Sequence, residues 1–269
     1  MAIYDCFQFF NEEHILDLRL NILNEFVDFF VMVESTSDHQ GNKKKLNFDL
    51  KRFKKFEKKI IYIVVDDTSE AIKKPHAGGE SLVEQHQRNS LLKGLKNCHD
   101  DDLIILSDVD EIPDLNKLNL FKKKSKYAVF SQKMFNYKIN LLNETENNWH
   151  GSKICLRKNL KSPQWLRSLK FKKYPFWRID KPRNLQIIEN GGWHFAYLKS
   201  SADIIKKIKS SAHGEFNKKD FANLKNIEEK ISMKKDIFDR KITYKKVEID
   251  DSFPKYIIEN KEKFKDWII

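Results

Sequence analysis

Four aliphatic residues, Leu103-Ile104-Ile105-Leu106, run directly into Ser107-Asp108-Val109-Asp110-Glu111-Ile112-Pro113, so three carboxylates fall within four positions at the end of an apolar run. An unbroken apolar run suits a strand covered on both faces, because a half-exposed strand would alternate apolar with polar residues. Pro113 forbids a further ladder hydrogen bond, so a turn is expected there. In an extended segment the side chains at i and i+2 share a side, which aims Asp108 and Asp110 at one point beyond the carboxyl end of the strand. Uncompensated carboxylates in that position call for a cation, and hard oxygen ligands suit Mg²⁺ or Mn²⁺ with open positions filled by substrate phosphates. In open α/β sheets this crevice is also where ligands bind. The competing reading is a solvated acidic turn that merely closes a strand.

The chain's 269 residues, 40% apolar with 20 Phe, suit one large α/β domain or a core with a small appendage. No stretch approaches the ~20 apolar residues of a membrane span. The start, Met1-Ala2-Ile3-Tyr4-Asp5-Cys6, lacks a basic region followed by an apolar core, and a cytoplasmic protein without a transmembrane segment is expected. Cys6, Cys98 and Cys155 are odd in number and without metal-ligand spacing, which predicts free, mostly buried thiols. The net charge is +12, yet only eight of the 51 basic residues are Arg. Readers of nucleic acid lean on Arg forks, so no nucleic-acid partner is expected; the lysines are either simply solvated or attract anionic donors or acceptors, and the alternative reading is a basic binding module for RNA or anionic glycan.

Strand and helix signals alternate along the chain, the pattern of a mostly parallel sheet. Strands are expected over Ala2–Gln8, Val27–Glu34, Ile60–Val65 and Tyr127–Gln132, with a helix over Glu12–Phe26 carried by Ile15, Leu18, Ile22 and Phe26. The second and third strands also end in acids, Glu34 and Asp66-Asp67, which would face the same rim. Pro75 and Gly78-Gly79 mark a loop over residues 73–79. Ser81-Leu82-Val83-Glu84 has capping-box spacing and opens a helix to about Asn97, on which Arg88 and Asn89 either hydrogen-bond a nucleotide or form a wet face. Asn143–Ser152 reads as a polar loop, Ser162-Pro163 as the start of a short helix, and Leu185–Ile188 and Trp193–Tyr197 as late strands. Ser200–Asp203 is a second capping box, and beyond Phe216 the chain is Lys/Glu-rich with helical spacing.

Five segments in order resemble glycosyltransferase family 17, whose animal members include the β-1,4-mannosyl-glycoprotein 4-β-N-acetylglucosaminyltransferase. They are Tyr4-Asp5-Cys6-Phe7-Gln8-Phe9-Phe10-Asn11-Glu12, Phe30-Val31-Met32-Val33-Glu34-Ser35, His86-Gln87-Arg88-Asn89, Leu103–Pro113 and Gly192-Trp193-His194-Phe195, spread over about residues 1–215. The resemblance implies a GT-A-like nucleotide-sugar-binding fold over residues 1–215, with 216–269 as a helical C-terminal extension packed on it. It also implies a UDP-GlcNAc donor, a glycan or glycoconjugate acceptor, Mn²⁺ or Mg²⁺, and inversion at the anomeric carbon.

Carried onto this sequence, the resemblance makes Asp108 and Asp110 the catalytic Asp-x-Asp pair and the first two metal ligands, with Asp108 also near the donor's ribose. His194 is similar to the late histidine that completes the metal site in many GT-A enzymes. Arg88 and Asn89 match the helix beside the nucleotide, and Glu34 matches the acid ending the second strand, so these three join the donor-binding set. No Glu-Asp dipeptide lies between Asp110 and His194, which leaves Glu144, Glu146, Asp180 and Glu189 as candidates for the base. Trp149, Trp177 and Trp193 are candidates for stacking on a sugar face.

Overall fold

The computed structural model describes residues 1–38, 41–68, 81–172, 175–178, 182–210 and 223–269. The expected loop over 73–79, the candidate base Asp180 and the expected domain boundary at 215/216 lie outside the described residues.

β1 (Ile3–Gln8), β2 (Phe29–Ser35), β3 (Ile60–Val65) and β4 (Leu103–Asp108) are parallel and lie in the order β3-β2-β1-β4. The chain steps outward from β1 to β2 to β3 and returns on the other side of β1, so the strand order reverses between β1 and β4. Alternate residues of these strands feed two apolar clusters. Phe7, Phe30, Met32, Leu103 and Ile105 pack with Ile15, Leu16 and Leu20 of α1 (Glu13–Leu23). Cys6, Val31, Val33, Ile104 and Leu106 pack with Leu91, Leu95 and Leu166. The last three come from the 3-10 turn Ser90–Leu95, which continues α2 (Leu82–Asn89), and from α3 (Pro163–Ser168). Burial on both faces is why the aliphatic run of β4 needs no alternation.

Beyond β4 the sheet becomes mixed. β6 (Tyr127–Asn136) and β8 (Trp149–Leu156) continue it through the antiparallel pairs β4/β8 and β8/β6. β9 (Gln186–Ile188) and β10 (Gly192–Ala196) run parallel to β6, and β5 (Glu111–Pro113) lies antiparallel to β10. Among the described residues, eleven strands form one sheet.

Two local expectations are corrected. The segment Asn143–Ser152 is not simply a loop: β7 (Leu141–Asn143) ends at its start, and β8 begins at Trp149. The polar residues of β8 are tolerated because tertiary partners satisfy them. Ser152 Oγ accepts from Ser107 Oγ at 2.7 Å and from Gln132 Nε2 at 3.1 Å, and donates to the Glu111 carbonyl at 3.0 Å. The extended path expected through Asp110 also stops earlier, with β4 ending at Asp108 and Val109-Asp110 forming a turn. Pro113 closes the short strand β5 opposite Gly192. At Gly192 φ is +137°, and a Cβ there would sit 2.3 Å from the Ile112 carbonyl oxygen, so glycine is required.

The C-terminal part is helical only in part. α4 (Ser201–Ser210), opened by the expected Ser200–Asp203 cap, precedes α5 (Leu224–Ser232), β11 (Tyr244–Lys246), α6 (Lys255–Glu259) and a 3-10 turn over Lys261–Trp267. β11 joins the sheet beside β7, and Ile269 exchanges two hydrogen bonds with the Asn140 side chain, at 3.0 and 2.9 Å. Cys6 and Cys155 are buried free thiols, and Cys98 is half-buried and free. Among the described residues, no helix is long and apolar enough to cross a membrane.

Candidate active site

The acid-rich turn sits at the carboxyl end of β4, where Asp108 is in register with Gln8, the last residue of β1. This is the point of strand-order reversal, the position at which open α/β sheets form their ligand crevice.

Arginines hold the turn from both faces of the sheet. On the α1 side, Arg19 and Asp5 form a fully buried pair, with Nε to Oδ2 at 2.7 Å and Nη2 to Oδ1 at 2.5 Å. The remaining Arg19 nitrogen, Nη1, donates to the carbonyl oxygens of Asp108, Val109 and Glu111 at 3.2, 3.3 and 2.7 Å. One guanidinium therefore sets the path of the turn, and Asp5 holds that guanidinium. On the other side, Arg167 of α3 donates from Nη2 to Asp108 Oδ2 at 2.6 Å and lies 3.1 Å from Glu111 Oε1. Arg88 of α2 is 3.6 Å from Asp108 Oδ1 and is itself braced by Glu84 and Gln164, both at 2.5 Å. Asn89 accepts from the Gln164 amide at 3.0 Å, which ties α2 to the first turn of α3.

Glu111 is buried and fully employed. It accepts from the Asp108 amide at 3.0 Å and from Trp149 Nε1 at 2.7 Å, besides facing Arg167. Trp149 in turn lies against the His194 ring with centroids 5.0 Å apart. His194, in register with Glu111 across β10/β5, presents Nε2 to Asp110 Oδ1 at 3.6 Å, while its buried Nδ1 has no hydrogen-bond partner.

The charges follow from this packing. Burial pushes the Asp108 carboxyl up, and the Arg167 and Arg88 guanidinium groups more than offset it, leaving the group below the usual carboxylate range. Burial pulls the His194 imidazole down, and Asp110, with Glu111 and Asp108 behind it, outweighs that and holds it above its ordinary value. Lys153 of β8 is buried and donates to the Arg167 carbonyl; desolvation, reinforced by the Arg167 charge, lowers it to about 8.

The candidate residues thus separate. Asp108 faces the two arginines, with its side chain 37% exposed, whereas Asp110 faces His194. Mg²⁺ and Mn²⁺ are commonly held by one or two protein ligands, with phosphates completing the shell. The Asp110 and His194 pair fits such a cation, and Asp108 stands beside it. Among the described residues, no group of three or more His, Cys, Asp or Glu side chains is arranged to hold a metal. Glu34 is completely buried, and its carboxylate already accepts from Lys44 Nζ, Tyr62 OH and the amides of Asn47 and Phe48 at 2.6 to 3.1 Å. The donor-binding expectation for Glu34 therefore meets a saturated group that anchors residues 44–48.

Glu144 and Glu146 are exposed between β7 and β8, and Glu189 is exposed between β9 and β10. Trp193 is buried with Nε1 donating to the Ser252 carbonyl at 3.0 Å, and Trp177 is exposed; of the three stacking candidates, Trp149 is the one that hydrogen-bonds the turn.

The sequence reading missed Arg19, Asp5 and Arg167, and gave Glu111 no role beyond its place in the acidic run. For the first two a signal was present: an Arg between Leu18 and Leu20 on an apolar helix face, and an Asp inside an apolar strand, each needing a buried counter-charge.

A sheet whose parallel half carries an acid-rich turn at the strand-order reversal places the protein in the mixed α/β class. The model of glycosyltransferase family 17 matches residues 1–268, and the chain belongs to that family. The match extends past the expected limit near residue 215 into the C-terminal part, consistent with β11 lying in the sheet. A search of curated proteins finds no match. Membership places the protein among glycosyltransferases, with a sugar donor and a glycan acceptor in general.

Proposed function

We propose that the protein transfers a sugar, GlcNAc from UDP-GlcNAc, to a hydroxyl of a glycan or glycoconjugate with inversion, using a GT-A-like donor site at the Asp108–Glu111 turn. The single observation that carries this reading is the position of that turn, on the switch-point strand of a family 17 chain. The donor sugar rests on the family's known type.

Asp110 and His194 would hold Mn²⁺ or Mg²⁺, with Asp108 beside them. When bound, the cation neutralises charge growing on the leaving diphosphate. Arg19 keeps the turn's carbonyls pointing inward and so fixes the backbone that carries Asp108 and Asp110. Arg88 and Arg167 hold Asp108 ionised and supply positive charge close to where a diphosphate would lie. A carboxylate takes the proton of the acceptor hydroxyl as that oxygen attacks the anomeric carbon in line.

The test is thermal stabilisation by UDP with Mn²⁺, with Mg²⁺ and with EDTA, followed by a screen of nucleotide sugars for hydrolysis. UDP at a hundredfold excess over its Kd should stabilise the protein by about 2.7 kcal/mol with the cation present. Equal stabilisation in EDTA would remove the metal from the proposal, and turnover of a different nucleotide sugar would replace GlcNAc.

A further inference from the structure

Large aromatic side chains rarely stand fully in water, yet Phe176 is 80% and Trp177 65% exposed. They are not loose. Their rings meet edge to face, with centroids 5.2 Å apart, and Arg183 Nη2 donates to the Phe176 carbonyl at 2.7 Å. The same chain segment leads into β9, whose Ile187 is 39% exposed. Neighbouring Gln186 holds the loop before β6 in two directions, donating to the Leu120 carbonyl at 2.7 Å and accepting from the Lys122 amide at 2.9 Å. Leu120 is 49% exposed, and Lys122, Lys123 and Lys124 after it all face solvent.

The aromatic pair and the Leu120–Lys124 loop are therefore tied, through Arg183 and Gln186, to the same short stretch of chain that enters β9. The sequence between 170 and 183 adds six basic residues against one acid. Of these, Lys170, Lys172, Arg178 and Arg183 are exposed.

We propose that these segments dock the protein on an anionic lipid bilayer. Phe176 and Trp177 would enter the boundary between headgroups and acyl chains, where amphipathic aromatic rings are favoured, and the basic residues would meet lipid phosphates. Charge complementarity selects the anionic surface, and the apolar composition selects the bilayer over single-stranded RNA. Phe and Trp also stack on bases, but Leu120 beside the lysine run has no π face to offer a base, whereas a bilayer accepts aliphatic and aromatic side chains alike. The cations are also mainly Lys, which suits a fluid phosphate surface better than bidentate recognition. This inference does not depend on the identity of the sugar donor or on a metal.

The experiment is co-sedimentation of the whole protein with vesicles of phosphatidylcholine, with and without phosphatidylglycerol, alongside a single-stranded RNA oligonucleotide. Partition into the anionic vesicles should exceed that into neutral ones by about tenfold or more and weaken with salt. The double variant Phe176→Ser/Trp177→Ser should lose about tenfold or more of that partition. Its Tm should be unchanged, since both side chains are exposed. A second readout is quenching of tryptophan fluorescence by brominated lipid. It should disappear in Trp177→Phe, because the other four tryptophans are buried or half-buried. Equal binding to neutral vesicles, no loss in the double variant, quenching that survives Trp177→Phe, or binding to RNA without binding to vesicles would each overturn the proposal.

Discussion

Glu34 and Asp108 stand at the carboxyl ends of two strands in the same parallel half-sheet, and the two have opposite fates. After β2 the chain folds back so that Lys44, the Asn47 and Phe48 amides and, from β3, Tyr62 surround the Glu34 carboxylate completely. After β4 the chain turns at once, its carbonyls drawn inward onto Arg19, and the Asp108 carboxylate is left against two guanidinium groups with a third of its side chain open. A strand-end acid becomes scaffold or site according to what the next loop brings to it. Backbone amides close a site, because they are fixed and have no alternative partner. Side-chain cations on one side leave part of the Asp108 carboxylate open to a further partner.

The largest effect that would sharpen this contrast is on turnover. Asp110→Asn should lower kcat by about a thousandfold, since it removes the charge facing His194 and the proposed cation, worth several kcal/mol in the transition state. Stability should stay within about 1 kcal/mol, because relief of repulsion with Asp108 and Glu111 offsets the lost attraction to His194. Near-full activity in this variant would reduce the turn to an acidic strand end. Glu34→Gln should reverse the pattern. An amide group would point at donors that need an acceptor, costing about 2–4 kcal/mol in chemical denaturation, with the donor KM unchanged per folded molecule. A raised donor KM without loss of stability would return Glu34 to the donor site and break the comparison.

What the sequence made legible follows the range of the forces involved. The extent of β1 and β3 and the start of β4 came from local apolar runs, and the cap of α2 from Ser81, whose Oγ does accept the Glu84 amide at 3.1 Å. The acids of the turn were readable for the same reason. Their partners were not: Arg167 lies 59 residues from Asp108 and Arg19 lies 89 before it, on elements whose own patterns say nothing about where they dock. β8 was read as loop because its polar residues look solvated, and only the packed sheet brings Ser107, Gln132 and the Glu111 carbonyl to Ser152. The different partners of Asp108 and Asp110, the arginines for one and His194 for the other, were hidden too, since a turn at Val109-Asp110 cannot be told from continued strand by alternation alone.

The smallest expected effect concerns the lysine near each acid. Lys44 touches Glu34 directly at 2.6 Å, whereas Lys153 has been taken out of water beside Arg167 without a direct bond to Asp108 or Glu111. Its pKa is lowered to about 8 in the folded protein, against 10.5 for the ordinary group. Below pH 8 Lys153 is protonated folded and unfolded alike, and the native state carries the whole cost of burying the charge. Between about pH 8 and 10.5 the folded protein releases this proton while the unfolded chain keeps it, so stability contributed at this position rises with pH. Lys153→Met removes the titration. The wild-type protein should therefore gain about 3 kcal/mol on the variant over that window, read as the pH dependence of the difference in denaturation midpoints. A pH-independent difference would mean that Lys153 stays charged, and that the cationic side of the Asp108 turn is as fully compensated as the pocket around Glu34.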